Sequence, residues 1–158
     1  FDQPDAARGF SSNALSATAA TMRSLDDIFE EYDFLDDRDD RHRLIIELGR
    51  ALEPMPAALK TENTKVRGCI AQVWVYPLSV ESDRLHFLAD SDSELTKGII
   101  ALILSAIQDK PAAEVASIDI PGTLERFELS KHFTSRRTQG VPNMIALVQD
   151  TARRIAAG

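Results

Sequence analysis

The segment Ser91-Asp-Ser-Glu94 followed by Leu95, Ile99, Leu102, Ile103 and Ala106 constrains this chain more than any other stretch. The serine with a glutamate three residues on fits a capping box, with Ser91 as the predicted N-cap. The apolar positions that follow fall on one side of an α-helix. A helix this apolar needs a surface to cover it, so the remaining segments must supply one. The longest apolar run, residues 98–107, ends at Gln108 and Asp109. It is about half of the roughly 20 residues that a membrane-crossing helix requires.

The covering surface is predicted from two adjacent strands. Residues 66–76 alternate in period two with β-branched and aromatic side chains, which places Cys69, Ala71, Val73 and Val75 on one face, with a loop over residues 66–69 as the alternative for its earlier portion. Ser82-Asp83 suits a turn into a second strand over residues 84–89, giving an antiparallel hairpin. Upstream, Ser24-Leu-Asp-Asp27 fits a capping box before Leu25, Ile28, Phe29 and Tyr32 at helical spacing. A second helix carries Leu44, Ile45 and Leu48, with Gly49 or the Pro54-Met-Pro56 pair ending that region. Pro111 suits the first position of a short helix over residues 112–116. Leu124, Phe127 and Leu129 add an apolar cluster, and after Gly140 and Pro142 a terminal helix bears Met144, Leu147, Val148, Thr151 and Ile155. Adjacent rather than alternating strands exclude a doubly wound sheet. The expected fold class is α+β, a small antiparallel β-sheet packed against several α-helices.

At 158 residues the chain suits one domain, expected over residues 24–158, with residues 1–23 as a tail. That Ala-, Ser- and Thr-rich tail fits an appended sequence, an upstream extension of a frame starting at Met22, or a transit-peptide remnant, and the choice stays open. The cytoplasm is the expected compartment, or an organelle under the transit reading. A net charge of −7 repels phosphate backbones, so nucleic acid is not an expected partner. Nine acidic residues and one arginine lie between Asp26 and Asp40, a pattern that suits a solvated face.

One cysteine is present, Cys69, so no internal disulfide is possible. Lys65 and Arg67 stand within four residues of it, and cations favour the thiolate. Gly68 allows a loop with open approach to the sulfur. From the residues alone two readings stay open: a small inert hydrophobe, or a reactive thiol. His42, His86 and His132 lack the short spacing of a local metal site.

Val66-Arg-Gly-Cys-Ile-Ala-Gln-Val-Trp74 resembles the cysteine motif of the SufE family of cysteine-desulfurase partners. Asp90-Ser-Asp-Ser-Glu-Leu-Thr-Lys-Gly98 resembles that family's second block, and Arg137-Thr-Gln-Gly140 its arginine motif. Weaker similarity in Asp40-Arg-His-Arg-Leu-Ile-Ile-Glu-Leu-Gly49 extends the resemblance over about residues 25–156. The chain departs from the family at Ser135, where proline is frequent, and at Ala89, where glycine is common. The resemblance implies a fold shared with IscU-type scaffolds and a sulfur-carrying role with little or no turnover alone and no metal or organic cofactor bound. Cys69 would accept sulfur as a persulfide from a cysteine desulfurase, a pyridoxal-phosphate enzyme, and pass it toward an iron–sulfur scaffold. Arg137 would contact the desulfurase or stabilise the sulfur anion, with an ordinary ion-paired arginine as the alternative. Asp90 and Asp92 would line the cysteine loop, unless they serve to N-cap the long helix. Monomer and homodimer are both compatible.

Three rivals differ in class. A cluster scaffold needs several thiolates, and one cysteine cannot supply them. A cysteine hydrolase would pair Cys69 with His86 or His132 and an aspartate. A binding module would activate the desulfurase allosterically, with Cys69 a passenger.

Overall fold

The computed structural model describes residues 23–68, 71–79, 84–129 and 140–157. The expected Ser82-Asp83 turn lies outside these residues. The fold is α+β, a three-stranded antiparallel sheet with six α-helices among the described residues.

Helix α1 (Leu25–Phe34) starts where expected, with the Ser24 hydroxyl accepting from the Asp27 amide at 3.1 Å. It buries Ile28 and Tyr32. Helix α2 (Arg38–Arg50) is capped by Asp37, and its Arg41 reaches back to accepting carbonyls at the end of α1. The Arg41 Nε donates to Leu35 at 2.6 Å and Tyr32 at 3.0 Å, satisfying groups that a helix C-terminus leaves open. The same guanidinium lies 4.7 Å from the Tyr32 ring centroid. Phe127 meets both Phe29 and Tyr32 edge-on, at 5.5 and 5.3 Å between centroids.

Gly49 does not end α2. It lies inside the helix, buried against Gly98 of α3 (Glu94–Ile107). A Cβ on Gly49 would stand 2.5 Å from the Gly98 nitrogen, and one on Gly98 would collide with the Ile45 carbonyl oxygen. Two facing hydrogens therefore let the α2 and α3 backbones touch.

Helix α3 is the centre of the core. Besides the expected Ile99, Leu102, Ile103 and Ala106, it buries Ile100, Ala101, Leu104 and Ile107, so it is covered nearly all round. Leu95 is half-buried. Its N-cap is Ser93 rather than Ser91: the Ser93 hydroxyl accepts from the Thr96 amide at 3.3 Å. Ser91 instead belongs to strand β2, and its hydroxyl accepts from the Ser93 amide at 3.1 Å. Either serine is a favourable N-cap residue, though only Ser91 has the glutamate of a capping box, and the strand takes the first.

Strand β1 (Val73–Ser79) pairs with β2 (Arg84–Ser91), from Val73 opposite Ser91 to Ser79 opposite Leu85. The first strand is shorter at its start than the alternation predicts, because residues 64–66 fold back onto it. The second runs two residues further than expected. Pro77 is tolerated in β1, which has β2 on one side only along this stretch. A third strand, β3 (Lys110–Pro111), pairs with Arg84 and Leu85 and escapes a periodicity reading because it is two residues long. Pro111 thus lies in β3 and precedes α4 (Ala112–Ser117) as its N-cap.

The end of α3 is tied to β2 by side-chain hydrogen bonds. The Gln108 carbonyl accepts from Phe87 N–H at 2.7 Å and its amide donates to Phe87 C=O at 2.8 Å. Asp109 adopts a left-handed conformation, φ 59°, and donates its N–H to the Leu85 carbonyl. Its carboxylate meets Nδ1 of His86 at 2.8 Å, while Glu53 meets Nε2 at 2.7 Å. His86 is 1% exposed. Burial opposes the charged ring, but the two hydrogen bonds and the two carboxylate charges outweigh it, and the pKa is raised.

Helix α5 (Ile120–Leu124) and a 3-10 turn (Glu125–Phe127) lead toward α6 (Val141–Ala157). The buried stripe of α6 is Met144, Val148 and Ala152, and Ile155 is exposed rather than buried. Gln149 of α6 donates to the Ile118 carbonyl at 2.7 Å, closing the end of α4. No helix among the described residues is long and apolar enough to cross a membrane.

Two stability measurements follow from these contacts. Gly98→Ala should destabilise by about 1–3 kcal/mol in urea titration, because the clash is with backbone and exceeds the ~1 kcal/mol gain in helix propensity. His86→Gln keeps hydrogen bonding but removes the proton-linked charge. A raised folded pKa makes the His86 contribution full below the unfolded value near 6.5 and lost as pH rises through the folded value. The stability gap between wild type and His86→Gln should therefore be about 1–3 kcal/mol below pH 6.5 and shrink as the pH is raised above it.

Candidate functional site

Cys69 and its neighbour Ile70 lie outside the described residues, as do Arg136, Arg137 and His132. The structure does fix the chain on both sides of Cys69. Residues 64–66 run antiparallel to the start of β1: Val66 N–H donates to Val73 C=O at 2.8 Å, and Val75 N–H to Thr64 C=O at 2.9 Å. An isolated bridge joins Lys65 to Trp74. The chain therefore reverses direction between residues 66 and 73, and this connection, which carries the cysteine motif, is closed at its base by backbone pairing; of the strand and loop readings of residues 66–68, the loop holds. Ala71, Val73 and Val75 are nevertheless all buried, as their shared face requires.

Each side of the loop carries a second fastening. On the entering side, Gly68 has φ 83°, a left-handed conformation suited to glycine. The space a Cβ would fill is taken by the Asn143 side-chain nitrogen, and that amide donates to the Arg67 carbonyl at 3.2 Å. On the leaving side, Gln72 N–H donates to the Asp92 carboxylate at 3.0 Å, and Asp92 N–H donates to Gln72 C=O at 3.2 Å. This reciprocal pair continues the β1–β2 ladder one step past Val73 and Ser91.

Asp92 therefore holds the loop and does not cap α3. Asp90 does not cap it either. Opposite Trp74 in the sheet register, its carboxylate pairs with Lys60 at 2.5 Å and Lys97 at 3.5 Å, and accepts from Ser91 N–H at 2.8 Å. Burial works against its charge, but the Lys60 hydrogen bond, the Ser91 amide and the Lys97 charge prevail and its pKa is lowered. Lys60 also stands 5.6 Å from the Trp74 ring centroid. Trp74 is half-buried in this cluster, which is a packing and electrostatic setting.

Asn143 and Lys60 were not legible as site residues. Asn143 is 74 residues from Cys69 in the chain. Its only signal is its place just after Gly140-Val-Pro142, where α6 begins.

His86 sits opposite Leu78, towards the end of the hairpin away from the cysteine loop. Both its ring nitrogens are engaged by carboxylates. It is unsuited to the general-base role that the hydrolase reading gave it. Among the described residues, no group of three or more His, Cys, Asp and Glu side chains could hold a metal ion.

A family model described as SufE, an Fe-S metabolism associated domain, matches residues 26–152. The chain belongs to the SufE family. An uncharacterised SufE-like protein of Rhizobium etli is 34% identical over 139 residues, covering 86% of this chain and 94% of that protein. The Escherichia coli protein named sulfur acceptor protein CsdE is 29% identical over 103 residues, covering 65% of this chain and 70% of its own. A solution structure of a hypothetical protein from Thermus thermophilus shares the fold, with a TM-score of 0.67 at 18% identity, covering 85% of this chain and 96% of that one. The SufE match takes in Cys69, both clamp residues Asp92 and Asn143, and Arg137.

The clamps can be tested without any partner. Asp92→Ala should leave the fold intact at a cost of about 1 kcal/mol and speed amide exchange at Gln72 by roughly tenfold. Unchanged exchange at Gln72 would show that the backbone ladder alone holds the loop.

Proposed function

We propose that this chain is a sulfur acceptor and carrier that receives sulfane sulfur on Cys69 from the persulfide of a cysteine desulfurase and delivers it to iron–sulfur cluster assembly. The observation that carries this reading is the SufE family match over residues 26–152, which encloses the chain's single cysteine. The relationship to a protein named as a sulfur acceptor supports it.

The step is thiol exchange. The Cys69 thiolate attacks the outer sulfur of the donor persulfide, a new S–S bond forms to Cys69, and the donor's S–S bond breaks. The donor's inner sulfur leaves as a thiolate. Sulfane sulfur moves from one protein to the other with no net oxidation, so neither metal nor redox cofactor is required of this chain. The pyridoxal phosphate belongs to the desulfurase.

The described residues give this chemistry a fixed base. Asp92 and Asn143 hold the two arms of the loop, and Lys65 and Arg67 in the entering arm favour the thiolate. Asp90, held by Lys60 and Lys97, keeps two further cations beside the leaving arm. Arg137 contacts the desulfurase or stabilises the sulfur anion on Cys69.

Intact-protein mass spectrometry after incubation with a cysteine desulfurase and free cysteine tests the proposal. Wild type should gain sulfur that a reductant removes, and Cys69→Ser should gain none. If wild type gains none while both proteins still raise desulfurase turnover, the chain is an allosteric activator and Cys69 a passenger.

A further inference from the structure

We propose that His86 is a proton-operated latch on the strap that follows α2, residues 51–60: the charged ring holds Glu53 in place, and the neutral ring lets it go. The latch is independent of the sulfur-carrier reading.

His86 is 1% exposed, with Nε2 2.7 Å from the Glu53 carboxylate and Nδ1 2.8 Å from that of Asp109. Among the described residues, His86 is the one cation paired with either carboxylate. A charged imidazole donates from both nitrogens and serves both carboxylates at once. A neutral imidazole donates from one nitrogen, and the lone pair of the other then faces an oxygen that also has only lone pairs to offer. Away from water such a contact is repulsive, so loss of the proton breaks one of the two bonds.

The two carboxylates are not equally free to leave. Asp109 is fixed by its own backbone: its N–H donates to the Leu85 carbonyl at 2.8 Å, its carbonyl accepts from the Arg84 guanidinium at 2.7 Å, and Lys110 beside it is paired with Leu85 in the sheet. Glu53 has no such support. Its strap is exposed at Ala51, Pro54 and residues 56–58, and is buried only at Met55. Among the described residues, the backbone bonds within residues 53–60 are local, from Leu59 N–H to the Pro56 carbonyl at 2.9 Å and from Lys60 N–H to that of Ala57 at 3.0 Å. The neutral ring therefore keeps its proton on Nδ1 for Asp109, turns a bare Nε2 toward Glu53, and the strap opens at Glu53.

The other charges around the ring are placed elsewhere. Arg84 serves the Asp109 carbonyl, Lys110 of β3 pairs with Glu114 of α4, and β1 sets Leu78 opposite His86. The raised pKa of His86 fixes the direction: the latch is shut below the unfolded value of 6.5 and opens as the pH rises through the folded value above it. The far end of the strap is Lys60, whose ammonium pairs with Asp90 beside the leaving arm of the cysteine loop. A proton at one end of the hairpin thus governs how firmly a cation is held at the other.

The test is an NMR titration of the full chain upward from pH 6.5. Ring-nitrogen shifts read the tautomer of His86, and amide exchange at Leu59 and Lys60, corrected for intrinsic base catalysis, reads the strap. The neutral ring should carry its proton on Nδ1, and corrected exchange should rise about tenfold with the midpoint of the ring. In Glu53→Gln the side-chain amide can donate to the bare Nε2, so corrected exchange should stay flat throughout.

A neutral ring protonated on Nε2 would overturn the inference, and the wild-type tautomer is read without any variant. Corrected exchange that is unchanged in wild type, or that rises equally in Glu53→Gln, would also overturn it. So would a ring that keeps its charge to the alkaline limit of the folded protein.

Discussion

The contact between Gly49 and Gly98 sets the geometry on which everything else is built. With no side chain at either position, α2 can lie directly on α3, and the Ile45 carbonyl oxygen occupies the space a larger residue would need. Close approach of α2 on one side and β2 on another leaves α3 covered nearly all round, which is the only setting in which so apolar a helix is stable in water. Because α3 is immobilised, its N-terminal end is too. The cysteine loop is fastened beside that end, through Asp92 just ahead of the Ser93 cap.

Side chains rather than long stretches of sheet make the connections between layers. Gln108 mimics a strand by pairing with both backbone groups of Phe87, Arg41 closes α1, and Gln149 closes α4. His86 joins Glu53 to Asp109 across the far part of the sheet. Such links let a three-stranded sheet with a two-residue edge strand serve as a rigid floor. They also sort the polar residues into two groups, those that bind layers together and those gathered around the cysteine loop.

Much of this was legible from periodicity and capping residues. The order of helices and the hairpin, the Ser24 cap and the burial of Ala71, Val73 and Val75 all follow local rules, and tertiary packing agrees with them. Where the reading failed, a non-local contact had overridden a local signal. Gly49 looks like a helix stop until Gly98 is placed against it. Ser91 and Ser93 compete for one cap, and strand pairing with Val73 decides between them. Residues 66–68 suit either strand or loop by sequence, and the pairing of 64–66 with β1 makes 67–68 a turn. Of the candidate site, motif resemblance alone names Cys69 and Arg137, and Asp90 and Asp92 lie within the second block. Asn143 was invisible, since only the folded chain brings α6 to Arg67.

The pinned base of the cysteine loop limits how far the chain between its two anchors can reach. The Arg67 carbonyl is held by Asn143 and the Gln72 amide by Asp92, leaving a tether of four residues between two anchors. Fully stretched, that tether spans about 17 Å, so its midpoint can rise no more than roughly 9 Å from the body of the protein. On the proposed carrier role, a donor or recipient could not be served at a distance by a long swinging arm. It would have to bring its own reactive atom almost to the surface formed by the end of β2 and the starts of α3 and α6, and shape complementarity there would become a condition of exchange.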